Sequence, residues 1–410
     1  MITLNTSKIW TFVYSLLFLL PLFVPLYAAQ SIEYKTEPSP ENVYNEIENL
    51  PWYRYLDSPG HREAEQYISS KFIGYGLDVS KQEYIGQRLD SQVPCVNILG
   101  FLEGENINQW LVIGAHYDTN LLASQGAYDN GVGVATIIEL ARLFTQDETE
   151  RPKVSIMFAA WDAEEGGGAG SSYFVDNLED NIDIVAYINL DMFGINYPAR
   201  NAYNYLPSSN EEYFRLYMYT SPIEDFSAYD EEYSEETLEN FTTFRSYVEE
   251  IAYEEWQYPS EWVAALDDTE SNSDQKFFIR KGFPSVWFRG MHENAWEEGD
   301  TNEQTFKHSP IDTLVTMEAH VGGKANLLEA FETTLVISYN LSQKIAGLGE
   351  ESSQEAGEDE WHEKIISDPF YLSGIGAAVI VIAVVTSYVI YKKRGGEGNV
   401  VWEEDVTKES

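Results

Sequence analysis

The chain of 410 residues carries 25 Lys and Arg against 68 Asp and Glu, a formal net charge of −43. Such a surface repels a phosphate backbone, which excludes nucleic-acid binding as a function class. With 44% hydrophobic and 14% aromatic residues the chain is not a disordered acidic tail; it can fill a large core, and its length suits two or three structural units.

Residues 1–29 are Leu- and Phe-rich after Lys8, are broken by Pro21 and Pro25, and end in Ala28 and Ala29, the pattern of a signal peptide or signal anchor. Residues 30–346 read as the folded ectodomain. Within it, 32–66 is helical in pieces with a turn at Ser58-Pro59-Gly60. Segments 78–87 and 93–102 alternate as strands, and the second contains Cys95. That lone cysteine excludes a disulfide within the chain and any CxxC metal knuckle, so a metal would be held by His, Asp and Glu. WLVIGA (110–115), VSIMFAAW (154–161) and IVAYINL (184–190) read as buried strands, with helices over 131–144 and from 171 to 178. The Tyr- and acid-rich stretch 201–268 reads as a cap insertion over the cleft. A short helix over 274–280, a strand over 284–288 and a long helix over 317–345, interrupted at Gly322-Gly323, complete the unit. Residues 347–369 form an acidic stalk. Residues 370–391 are free of charge, span about 33 Å as a helix, and precede Lys392, Lys393 and Arg394, as expected of a transmembrane helix with a cytosolic tail, 392–410. The expected location is the cell membrane, single-pass, with the catalytic domain extracellular.

Alternating strands and helices predict an α/β fold: a central mixed, mostly parallel sheet flanked by helices on both faces. In such sheets ligands gather at the carboxyl ends of strands. Acids and histidines sit just past each buried strand: His116 and Asp118 in GAHYDT, Asp129 in AYDNGVG, Glu164 and Glu165 in WDAEEGGGAGS, Asp191 in LDMFG, and later His308 in KHSPIDT. His116 and Asp118 are two apart, so on extended backbone they share a face, and the acid can orient a metal-binding imidazole. Glu164 and Glu165 are adjacent; on extended backbone they point apart, one to a metal and one to a water. Asp162 reads as making local hydrogen bonds, Asp274 as a helix N-cap, and His61 as a satisfied core residue.

GAHYDT, YDNGVGVA, DAEEGGGAGS, INLDMFG, SDQKFFIRKGFPSVWF and KHSPIDT, in this order, resemble the two-zinc exopeptidases of the bacterial secreted aminopeptidase and glutamate carboxypeptidase family, over residues 42–345. Any one piece alone is weak; the ordered set is specific. The resemblance implies the zinc-exopeptidase fold and two Zn2+ per chain. It implies His116 and Asp191 on one zinc, Glu165 and His308 on the other, and Asp129 bridging both. It also implies Glu164 as general base, Asp118 as the partner of His116, and a cis peptide bond after Asp129. Lys307 stands where some members have a tyrosine, which leaves the oxyanion donor open. The implied activity is hydrolysis of peptide substrates at chain ends. An aminopeptidase is preferred, because a free N-terminus is a cation and the cleft is acidic. Carboxypeptidase activity, a glutaminyl cyclase on the same fold, and a receptor or scaffold ectodomain are the alternatives.

Overall fold

Three buried strands organise the molecule. β3 (Asn106–His116), β4 (Val154–Trp161) and β5 (Asp183–Leu190) lie side by side and parallel, with β3 between the other two. The computed structural model describes residues 37–348 apart from 89–90, 147–149, 196–213, 225, 227, 230, 256–262, 270 and 293–306. Among the described residues the sheet is completed by β1 (Asp78–Arg88), β2 (Ser91–Leu102), β6 (Phe214–Thr220), β7 (Val263–Asp267) and β8 (Ser285–His292), in the order β1-β2-β4-β3-β5-β8-β6-β7. The pairs β1/β2, β2/β4 and β6/β8 are antiparallel; β5/β8 and β6/β7 are parallel. The sheet is mixed, as the sequence predicts.

The alternation of side chains along each strand separates two cores. Leu111, Ile113 and Ala115 of β3 and Ile156, Phe158 and Ala160 of β4 face one side. That side is covered by α1 (Pro40–Asn49), α2 (Pro59–Gly74), α3 (Val132–Gln146) and α8 (Lys324–Ala346). Val112, Met157, Ala159, Trp161 and Tyr187 face the other side, under Phe174 and Val175 of α4 (Ala169–Asp176) and Phe278 of α6 (Gln275–Arg280). Because both faces of β4 are covered, all eight of its residues are buried. Cys95 lies buried and free in β2.

Two expectations change. Ser58-Pro59-Gly60 is not a turn between helices but the start of α2. The Ser58 side chain accepts the His61 N–H at 3.0 Å, and Pro59 occupies the first turn, where its missing N–H costs nothing. Within 201–268, read as a cap, residues 214–220 and 263–267 are instead strands that extend the sheet. Leu216, Met218 and Val263 face the large core, while Tyr217, Tyr219 and Ala264 pack with Trp287 on the opposite face. This period of two is what makes 214–220 and 263–267 strands. Between them α5 (Glu235–Glu249) starts at Ser234, which accepts the Thr237 N–H at 3.1 Å, and buries Phe241, Phe244 and Val248. Residues 201–213 lie outside the described part.

α7 (Leu314–Val321) ends at Gly322, whose φ of 85° gives the left-handed turn that a glycine allows, and α8 follows. The interruption expected at Gly322-Gly323 is therefore real. Among the described residues no helix is long and apolar enough to cross a membrane. The segments read as signal (1–29), stalk (347–369), membrane span (370–391) and tail (392–410) lie outside them, apart from Gly347 and Leu348.

Candidate metal centre

The carboxyl ends of β3, β4 and β5 meet at one rim of the sheet. β3 ends on His116, β4 runs into Glu164 and Glu165, and β5 into Asp191. Asp129 is delivered from the side by a tight turn, Ala127–Gly131, that feeds α3. Its placement depends on how closely α3 approaches β5. A Cβ on Gly133 would stand 2.1 Å from the Leu190 carbonyl oxygen, so only glycine allows the contact. The Asn130 amide locks it, donating to Leu190 O at 2.8 Å and accepting the Gly133 N–H at 3.1 Å. The Asp129–Asn130 peptide bond is cis, as the resemblance implies, and so is Asp191–Met192.

The Asp129 carboxylate lies between two imidazoles. His116 Nε2 is 3.2 Å from Asp129 Oδ1 and 3.3 Å from Asp191 Oδ1. On the other side His308 Nε2 is 3.2 Å from Asp129 Oδ2 and 3.0 Å from Glu165 Oε2. Two donor groups result, His116–Asp129–Asp191 and Asp129–Glu165–His308, each with its donor atoms within 4.8 Å of one another and Asp129 common to both. All five residues that the sequence singles out as ligands come together. The donor set of imidazoles and carboxylates fits zinc. So do two buried oxygens that make no hydrogen bond to a described residue, Asp129 Oδ2 and Glu165 Oε1. A buried carboxylate oxygen without a hydrogen bond is costly and calls for a cation.

Asp118 does more than share a face with His116. Its backbone oxygen is 3.1 Å from His116 Nδ1 and its carboxylate 3.5 Å away. That carboxylate accepts the backbone N–H groups of Glu164 and Glu165, at 3.0 and 3.2 Å. It thereby pins the turn after β4 against the end of β3. Glu164 and Glu165 sit in that turn rather than on extended backbone, because the left-handed Ala163 (φ 60°) bends the chain before them.

Several contributors were not identified from sequence. Arg54 is fully buried, and its guanidinium donates to four carbonyls of the described residues: Tyr117 O at 2.8 Å, Pro51 O at 3.1 Å, Gly126 O at 3.0 Å and Gln125 O. It ties the segment after β3 to the residues before Asp129. Asp312 accepts the backbone N–H groups of Tyr128 (2.7 Å) and Asp129 (3.0 Å), coupling the His308 segment to the Asp129 turn. Ser273 Oγ donates to Asp191 Oδ2. Asp312 lies within KHSPIDT, four residues after His308, and that position was its only signal. Asp162 makes the local bond read from sequence, accepting the Ala163 N–H at 2.8 Å, and also pairs with His61 Nε2 at 2.7 Å, which satisfies His61 in the core. Asp274 stands at the N-cap position of α6, but its side chain makes no capping bond; it accepts from Ser171 Oγ, and its Oδ2 is buried without a hydrogen bond to a described residue.

Environment divides the carboxyls into two sets. Burial opposes ionisation of Asp129, but Lys307, His116 and His308 outweigh it and hold the group well below the usual range. Burial likewise opposes Asp191, and His116 outweighs it. Glu164 is driven well above its usual range, first by burial and then by Asp191, Asp274 and Glu165, against the pull of His116. Burial also pushes Asp274 and Asp312 up to about 7. Burial disfavours the cationic form of His308, yet Asp129 and Glu165 raise it to about 10.

Residues 97–328 match the model of peptidase family M28. A 134-residue stretch is 31% identical to an inactive zinc metalloprotease of Schizosaccharomyces pombe, covering 32% of this chain and 16% of that one. A 100-residue stretch is 37% identical to an aminopeptidase of Pseudomonas aeruginosa, covering 24% of this chain and 18% of that one. Both matches thus span less than a fifth of the relative's length. Among solved structures, the glutaminyl cyclase of Porphyromonas gingivalis has the same fold, with a TM-score of 0.53 at 19% identity over 75% of this chain and 98% of that one.

Two predictions follow from the geometry. Because His308 holds its proton up to about pH 10 before a cation arrives, zinc uptake near pH 7.5 must release protons, and apparent affinity must rise with pH. Titration calorimetry in two buffers of different ionisation enthalpy will give different apparent heats. Asp312→Asn, which weakens one of the anchors of the Asp129 turn, will lower zinc affinity about 10–100-fold, measured by competition with a chelator.

Proposed function

We propose that this chain, which belongs to peptidase family M28, is a zinc exopeptidase that removes residues from the amino ends of peptides, using two zinc ions. The observation that carries this reading is the Asp129 carboxylate, with one oxygen beside His116 and the other beside His308. In this reading His116 and Asp191 hold one ion, Glu165 and His308 the other, and Asp129 both. When bound, zinc lowers the pKa of a water molecule and polarises the scissile carbonyl.

The chain's own residues do the rest. Asp118 and its backbone oxygen orient the His116 ring. Glu164, adjacent to ligand Glu165 but outside both donor groups, accepts the proton of the attacking water and returns it to the departing amine. Its raised proton affinity suits a group that must take a proton and then hold it. The acid-rich chain favours a cationic substrate end, which a free N-terminus provides and a C-terminal carboxylate does not. The charge-free segment 370–391 with its basic flank supports placing the catalytic unit outside a cell membrane, tethered by that span. The fold shared with glutaminyl cyclase keeps cyclisation of an N-terminal glutamine as a second reading; the two complete donor groups favour hydrolysis.

The test is a digest of matched peptides by zinc-loaded protein, read by mass spectrometry. Unblocked peptides will lose N-terminal residues and N-acetylated ones will not; release from the carboxyl end would refute the assignment. Glu164→Gln will lower turnover by about 10²–10⁴ with zinc content unchanged by elemental analysis.

A further inference from the structure

Resting on the two-zinc reading above, we infer that Asn189 is a positioning residue: at the middle of a buried hydrogen-bond chain anchored on Asp268, it turns the Ser273 hydroxyl towards Asp191 and so sets how tightly the His116–Asp191 site holds its ion. Asn189 stands two residues before Asp191 at the end of β5, so both side chains leave the strand on one side. Asn189, Ser273, Gln275 and Asp268 are all buried. The Asn189 amide nitrogen donates to Ser273 Oγ at 2.8 Å and to Gln275 Oε1 at 2.9 Å. The Gln275 amide nitrogen donates to Asp268 Oδ2 at 2.7 Å. Asn189 Oδ1 accepts from the Tyr187 hydroxyl at 3.0 Å, and that hydroxyl accepts the Trp161 indole N–H at 2.8 Å. The chain ends where Ser273 Oγ donates to Asp191 Oδ2.

The outer groups fix the direction of every bond between them. A carboxamide or a hydroxyl can face either way, but a carboxylate accepts and an indole N–H donates. Asp268 accepts the Ser271 N–H at 3.1 Å and the Tyr229 hydroxyl at 2.7 Å, so Gln275 must give it a nitrogen and turn its own oxygen to Asn189. Trp161 donates to Tyr187, which sends the Tyr187 proton to the Asn189 oxygen. Both ends therefore demand one orientation of Asn189, with its two N–H groups committed to Gln275 and Ser273. Ser273 Oγ, receiving from Asn189, keeps its single proton for Asp191 Oδ2. Asp191 Oδ1, 3.3 Å from His116 Nε2, is then the oxygen left for a cation. A hydroxyl turned the other way would set a lone pair against a buried carboxylate, which is costly. Asp268 directly follows β7, and its N–H donates to Thr220 O of β6 at 2.8 Å. The strands that supply no metal-binding side chain thus reach one such side chain through this chain. It does not extend to the second donor group, where Glu165 Oε1 makes no hydrogen bond to a described residue.

The experiment titrates metal-free full-length protein with cobalt(II), following each equivalent by calorimetry and by its visible absorption. It compares Asn189→Leu, Ser273→Ala, the double variant and Ser273→Thr. Asn189→Leu and Ser273→Ala are each expected to weaken one of the two equivalents about 10–100-fold and to shift its absorption, leaving the other within a few-fold. The double variant will bind that equivalent no more weakly than Ser273→Ala alone, because Asn189 acts through Ser273. Ser273→Thr, which keeps a hydroxyl, will retain most of the affinity. If Asn189→Leu does not fold, Asn189→Asp replaces it in the comparison. It keeps the shape but offers Ser273 no donor, and it must show the same loss. Unchanged cobalt affinity of the Asn189 variant would overturn the inference. So would equal weakening of both equivalents, which would make Asn189 a general support of the fold, or losses that multiply in the double variant. Uptake of a single cobalt ion by the unsubstituted protein would instead sink the two-zinc reading, while the same cycle read on that ion still decides for or against Asn189.

Discussion

The structure turns on one carboxylate held between two imidazoles. Asp129 has almost no exposure to water, and its two oxygens face His116 and His308, which come from segments nearly two hundred residues apart. Asp191 and Glu165 flank the same imidazoles. Without compensating charge, this many carboxyls in one buried place would repel one another and be driven to take up protons. Much of the surrounding architecture holds them in two donor groups that share Asp129.

The fold supplies the spacing by two means. The parallel strands β3, β4 and β5 end at one rim, so residues distant in sequence leave the sheet at neighbouring points. Backbone hydrogen bonds then tie the loops together. Arg54 gathers four carbonyls, Asp118 takes two N–H groups of the Glu164–Glu165 turn, and Asp312 takes two from the Asp129 turn. In each case a charged side chain is buried against backbone, which is expensive unless its bonds are made. Burial lowers Arg54 to about 10, with Asp312, Asp118 and Asp129 pulling the other way. The arginine therefore contributes charge balance as well as loop geometry.

The same chemical group does different work according to its neighbours. Asp129 and Asp191, next to imidazoles, stay ionised; Glu164, buried among other acids, gains proton affinity. Glu165, although beside His308, is also raised by burial, so the division follows each group's surroundings and not its proposed role. Lys307 adds a positive group at the edge of the cluster, 3.8 Å from Asp129 Oδ2.

Much of this was legible in the sequence. Runs such as VSIMFAAW mark strands covered on both faces, and the acids and histidines that follow them are the residues that converge. The order of the motifs carried the fold class and the five residues that converge at the rim. Other features escaped because they depend on contacts that no local pattern encodes. Strands β6 and β7 lie in an acidic, Tyr-rich stretch, and only packing against Trp287 shows that its tyrosines line a sheet face. Arg54 looks like any charged residue until it is buried against four carbonyls, and Asp312 like a turn aspartate until it meets the Asp129 turn. Sequence by itself determined which atoms can bind a cation and which apolar runs become buried strands, because residue chemistry and periodicity are local. Tertiary structure alone decided which of these atoms face one another, and at what distance, because that follows from loops closing over hundreds of residues.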